Sequence, residues 1–262
     1  MDNVSILDEK TLRHIPPTLT LFFILLFGLP AIALNYFGVD FTSINHGQTP
    51  TITAQLQAYF IQILLQWSAF SLSAITVLLA FIQYRLTNNR IALIIGLSLL
   101  FSGLVEGLHA LILTDLVYTA DKENIDGLIW TLTNTVSGII FILGFLYLLK
   151  HKNQTLTRWS TFMLLNILLV LVAVACIYYT AYILKHPAMQ VKDAYISRPY
   201  ELTYLLIYLA IVLFVYPPTY KKYPFILTNC VFYMAITQIV IAIYLMVLSH
   251  VPYEGAYNIA YF

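Results

Sequence analysis

The chain has 262 residues, of which 60% are hydrophobic and only 10% charged, and its formal net charge is +1. A soluble domain averages roughly 45–50% apolar and about 25% charged residues, so a water-soluble globule of this length would lack the charge to cover its surface. The apolar excess also excludes disorder, and the near-neutral charge leaves no electrostatic case for a nucleic-acid partner.

These proportions predict an all-α, polytopic transmembrane bundle whose principal partner is the lipid bilayer. A leader, residues 1–16, carries Asp2, Asp8, Glu9, Lys10 and Arg13. Runs apolar enough to cross the hydrocarbon core, which takes about 20 residues, follow near 17–38, 55–83, 91–113, 128–149, 159–184, 202–216 and 225–249. Seven spans are therefore expected in one domain, with the bundle over 17–249 and a tail over 250–262. Pro16 and Pro17 suit the first turn of span one, and Pro30 should kink it. Ala31-Ile32-Ala33 resembles a signal-cleavage site, but the long leader with its acidic residues favours a retained anchor. Pro217 and Pro218 are expected to end the sixth helix. Cys176 and Cys230 lie in apolar runs without CxxC spacing and read as small buried side chains rather than a disulfide.

Basic residues set the orientation. With a cytoplasmic N-terminus, Lys10, Arg13, Arg85, Arg90, Lys150, Lys152, Arg158, Lys221 and Lys222 lie inside. Only Lys122, Lys185, Lys192 and Arg198 lie outside. The expected location is a bacterial inner (plasma) membrane, with the tail 250–262 external. The connections are short and no soluble output domain is visible, so recognition or chemistry must occur within the bundle or at its rims.

The third span contains Gly103 and Gly107, a small-xxx-small pair that lets a neighbouring backbone approach. Between and beyond them, Glu106 and His109 are three apart and share a helix face. Ionisable residues at depth are costly and face a cavity or a partner. Glu106 is the only acidic residue expected well inside a span. The pair can simply tie helices together, line a ligand- or proton-sensing pocket, or supply two ligands to a metal ion; His250 at the same rim is a further metal candidate. The second span presents Gln55, Gln62 and Gln66 on one stripe, followed by Trp67 and Ser68. The fourth opens with Trp130, Thr131, Thr133, Asn134 and Thr135. Amides facing lipid are costly, so both stripes should face other helices. Gln62, Gln66, Trp67, Trp130 and Asn134 are candidate pocket residues with Glu106 and His109. Tyr178, Tyr179 and Tyr182, and Tyr216, Tyr220 and Tyr223, read as interface belts.

Three stretches carry a family resemblance: LIIGLSLLFSGLVEGLHALI (93–112), RPYELTYLLIYLAIVLFVYPPTYKKYP (198–224) and YNIAYF (257–262). They resemble the membrane-associated sensor (MASE-type) domains at the N-termini of bacterial histidine kinases and diguanylate cyclases, over most of 55–262. Glu106 and His109 match the acidic-x-x-histidine pattern of the third span. Arg198, Pro199, Tyr200 and Glu201 match the start of the sixth. Tyr261 stands where the family's terminal motif has a histidine. The resemblance implies a signal-sensing module of a two-component or similar system, working as a homodimer or with a partner kinase, and responding to a small or amphipathic ligand or to the membrane state. Two other functions compete with it: an intramembrane metal-dependent hydrolase, for which no HxxxH or HExxH motif is present, and a small transporter, for which no internal repeat is visible.

Overall fold

A computed structural model describes residues 52–87, 90–114, 122–150, scattered positions between 164 and 179, 188–191, 195–224 and 226–248. All regular structure among them is helical. The elements are α1 (Ile52–Thr87), α2 (Arg90–Leu113), α3 (Lys122–Lys150), α4 (Leu202–Ala210), α5 (Tyr216–Lys222) and α6 (Ile226–Ile243). A 3₁₀ turn, Pro199–Glu201, leads into α4, and a π-helical segment, Ile211–Val215, joins α4 to α5. A second π segment, Tyr244–Leu248, ends α6.

Among the described residues, five continuous helical stretches are long and apolar enough to cross a membrane: Gln62–Thr87, Arg90–Ile112, Asn124–Lys150, Pro199–Lys222 and Ile226–Val247. They correspond to the second, third, fourth, sixth and seventh expected spans. Described positions of the fifth, such as Leu164, Ile167, Leu168 and Leu171, are helical and exposed. The first span, its prolines, the leader and the tail with His250 and Tyr261 lie outside the described residues. The helices are apolar around their whole circumference, which suits spans surrounded by lipid or protein on every side. Leu72, Leu78 and Leu86 of α1 and Phe214 of the π segment are largely exposed, where a soluble protein would place polar groups. Cys230 is also exposed, on an outward face of α6, not buried as expected.

Two of the predicted boundaries are corrected. The fourth span does not begin at residue 128: α3 starts at Lys122 and carries Glu123 and Asp126 in its first turns. Charge ends an apolar run without ending a helix. The sixth does not stop at Pro217. Tyr216 N–H donates to Ile211 O across the wider π turn, and Pro217 and Pro218 then fall in the first turn of α5. There a missing N–H costs little, so the pair restarts the helix instead of ending it.

Packing follows the small residues. Antiparallel α1 and α2 make the most extensive contact in the bundle. A Cβ at Gly103 would lie 2.9 Å from Ser73 Cβ, and one at Gly107 would lie 3.0 Å from the Phe70 ring. Ser73 Oγ donates to Leu99 O at 2.7 Å across the same seam. Beyond it, α2 packs on α3, with Ile94 against Gly144, and α3 packs on α4, with Ile207 against Gly138. Phe141, Phe145, Tyr204, Tyr208, Ile211 and Leu245 form the main apolar core.

The termini sort by charge. Arg85 and Arg90 flank the α1–α2 turn, and α2 runs antiparallel to α3, so Arg90 and Lys150 share one end. Lys222 Nζ donates to Leu149 O at 2.6 Å, which brings the end of α5 to the same rim. Glu106, His109, Asp126 and Glu201 belong to the opposite half. Gly103→Val should overfill the α1–α2 seam and lower unfolding stability in detergent by about 1–3 kcal/mol. Leu104→Val, on an outward face, should change it by less than about 0.5 kcal/mol. A titration with a denaturing detergent compares the two.

Candidate functional site

The polar half of the bundle is built from three segments. The first is the last turn of α2. Glu106 and His109, one turn apart, are both buried there, His109 completely. Glu106 Oε2 lies 3.5 Å from His109 Nδ1. The second is the first turn of α3, from which Asp126 Oδ1 meets His109 Nε2. Each imidazole nitrogen therefore faces a carboxylate, one from its own helix and one from the next. Asp126 is 3% exposed, so it shares the buried environment of the histidine.

The third segment is Ser197–Tyr204. Arg198 Nη1 lies 3.6 Å from Glu201 Oε1, and both side chains are buried. Gly127 makes room for this pair: a Cβ there would fall 2.9 Å from Arg198 Nη2. Glu201 is also within electrostatic reach of Asp126, with Thr131 and Tyr204 beside it. Three carboxylates and two bases thus share one interior region, joined through Asp126. The region lies close to one rim. At 1.5 Å per residue, Glu106 is about 24 Å along α2 from Arg90, against a hydrocarbon core of about 30 Å.

A proton count describes what the triad can do. Two contacts, Glu106 to Nδ1 and Asp126 to Nε2, need two protons if both are to be hydrogen bonds. An imidazolium between two carboxylates supplies them, as does a neutral ring beside one carboxylic acid. With one proton fewer, a lone pair faces a carboxylate oxygen across one contact. In a region shielded from water such a contact is repulsive and poorly screened.

Other candidate residues take separate positions. Trp130, one turn below Asp126, is buried and donates from Nε1 to Tyr204 Oη at 3.4 Å. Asn134, a further turn down, is buried and donates from Nδ2 to Trp130 O of its own helix at 3.0 Å. Gln62 and Gln66 are buried on α1. The register that sets Ala80 against Gly96 and Phe70 against Gly107 brings them level with the end of α2. Among the described residues, neither the Gln62 amide nor Gln66 Nε2 has a hydrogen-bond partner. Trp67 does not join the site: it is 39% exposed and packs edge-on against Phe70. One residue past Gln66, it is turned about 100° around the helix, away from α2.

Asp126 lies outside the sequence candidates; it and Glu201, each near the start of its span, are buried alongside Glu106. Asp126 sits in a charged stretch that reads as an external connection. Its spacing from Trp130 and Asn134, four and four, is the signal that extends the polar stripe of α3 upward. Among the described residues no group of three or more His, Cys, Asp or Glu is placed to hold a metal ion. Glu106 and His109 instead spend their contacts on each other and on Asp126; His250, the other metal candidate, lies outside the described residues.

No family model, curated protein or solved structure matches the chain.

Removing one partner of a buried ionic contact leaves the other uncompensated, so Asp126→Leu should destabilise the bundle by about 3–5 kcal/mol. The double variant His109→Leu/Asp126→Leu should cost clearly less than the sum of the two single substitutions. Strict additivity in detergent-unfolding titrations would mean that the two side chains are not coupled.

Proposed function

We propose that the chain is a membrane-embedded signal-sensing module, of the kind used in bacterial signal transduction, in which the proton count of Glu106, His109 and Asp126 sets how α2 packs on α3. The observation that carries this reading is the buried imidazole of His109 with a carboxylate on each nitrogen, the carboxylates coming from two helices. Gain or loss of one proton changes an attractive contact between helices into a repulsive one. A change of that kind biases a two-state packing equilibrium, which is what a sensor needs. A small cation or amphipathic ligand that competes for the carboxylates would act through the same groups.

Two further points support the reading. The stretches that resemble MASE-type sensor domains supply Glu106 and His109 from one and Arg198 and Glu201 from the other, and these four residues flank Asp126. The excess of Lys and Arg at the opposite rim orients the cluster toward the outside, where a stimulus would arrive. The competing functions lose support. A zinc hydrolase needs three protein ligands and an open position, and both nitrogens of His109 face carboxylates. A transporter needs a polar route, and below Ser137 the described interior is filled by Phe141, Phe145 and Ile211.

The sign of the pH response follows from the proton count. The triad is complete on the acid side of its titration, and one bridge is lost on the alkaline side. Trp130 lies one turn from Asp126 and reports the change. With Trp67→Phe and Trp159→Phe it is the only tryptophan left. In nanodiscs its emission should shift to the red as pH rises through the titration of the triad. Asp126→Asn and Glu106→Gln should displace or abolish that transition. Emission that stays flat in the parent, or a midpoint unmoved by both substitutions, would remove the basis of the proposal.

A further inference from the structure

The segment that carries Arg198 also reaches a helix that holds no member of the charged cluster. Ser197 is completely buried. Its N–H donates to Met246 O at 2.9 Å, and its Oγ lies 3.1 Å from Met246 O and 3.2 Å from Leu245 O. Both carbonyls belong to the π-helical end of α6, Tyr244–Leu248. One residue, next in sequence to Arg198, thus donates to two successive carbonyls of this segment.

The same segment is held from its other side by α3. Val191 N–H donates to Ser197 O at 2.7 Å, and Met189 N–H donates to Asn124 Oδ1 at 2.8 Å. Asn124 is two residues before Asp126. Gly127, the residue after Asp126, lies against both Met189 and the Arg198 guanidinium. Ser197 therefore sits between the first turn of α3, where one carboxylate of the triad resides, and the last turn of α6. The titratable and charged groups gathered around this junction are Glu106 and His109 from α2, Asp126 from α3, and Arg198, Glu201 and Tyr204 from the segment leading into α4. Tyr244 is the titratable side chain of the π segment itself.

We propose that Ser197 is a positioning residue that latches the end of α6 to the charged cluster, so that the packing state of the triad is read out at Leu245 and Met246. This deepens the sensor reading and rests on it, since it names the element through which the change leaves the site. Movement of the first turn of α3 displaces Arg198 through Gly127 and Met189 through Asn124. Ser197, bonded to its neighbours on the same segment, then loses its alignment with the two carbonyls. The π turn makes those carbonyls responsive, because its wider geometry is less regular than an α-helical end and is commonly found at functional positions.

The test uses the full chain in nanodiscs, with Cys176→Ser and Cys230→Ser and a reporter thiol introduced by Met246→Cys. Met246 is buried, so a water-soluble maleimide reacts slowly while the latch is closed. At one fixed pH, Ser197→Ala should accelerate labelling about tenfold, the population change given by about 1.4 kcal/mol. Ser197→Thr, which keeps a hydroxyl, should label at close to the parent rate. Asp126→Asn should also accelerate labelling. Ser197→Ala should also displace the pH midpoint of Trp130 emission, which a merely structural role would leave in place. Parent-rate labelling in Asp126→Asn, with the Trp130 transition intact in the parent, would overturn the latch and leave the sensor reading standing. A flat Trp130 profile in the parent would bring down both. Should Ser197→Ala fail to insert, the Ser197→Thr and Asp126→Asn measurements still decide the question.

Discussion

A charge held in a low-dielectric interior must find its counter-charge there, and this requirement organises the polar half of the bundle. His109 is completely buried, so what its two nitrogens meet matters more than it would at a surface. Each meets a carboxylate. Asp126 is in turn tied to a second cluster, and Glu201 brings Arg198 with it. The result is a group of acids and bases that crosses from α2 to α3 to the start of α4, with two carboxylates, Asp126 and Glu201, near each other. Helices in a bilayer gain little from hydrophobic association, because lipid tails are as apolar as the side chains they replace. Directional contacts of this kind, together with glycine-mediated close packing, therefore decide which helix sits beside which.

The glycines and the charges divide the work. Along the length of the helices, Gly103, Gly138 and Gly144 let neighbours approach until their side chains fill the space a Cβ would occupy. Such contacts are dense and resist change, since an interior packed to crystal-like density has no slack. Toward the rim opposite Lys150 and Lys222, the contacts are between ionisable groups. Dense seams and an ionisable rim are a workable division for a device that must keep its fold while altering one end. At the opposite rim, Lys222 on the Leu149 carbonyl and Tyr216 Oη donating to Asn229 hold the helix ends by contacts that do not involve the triad.

Much of this was legible in the sequence, and the reasons for the remainder are specific. Apolar length located the helices, because crossing a bilayer sets a minimum run that few other structures need. Glu106 and His109 stood out because two ionisable residues three apart in an apolar run share a face and must be accounted for. Asp126 was hidden by its neighbours: Lys122, Glu123 and Asp126 together read as a solvated connection, although a helix can begin well before its apolar portion. The meeting of Trp130 with Tyr204, 74 residues apart, has no local signature at all. Trp67 failed as a candidate for a geometric reason, since a neighbour in sequence is not a neighbour on a helix face. The two prolines misled because their effect depends on the turn before them.

That turn has a broader consequence. A π-helical stretch holds one residue more than the regular helix it interrupts, so everything after it is rotated by about 100° relative to an unbroken helix. The buried residues of this span, Tyr204, Tyr208, Ile211, Val215 and Thr219, lie 4, 3, 4 and 4 positions apart on both sides of this segment. The span is thus two helical halves joined at a π turn, the kind of interruption at which long helices bend.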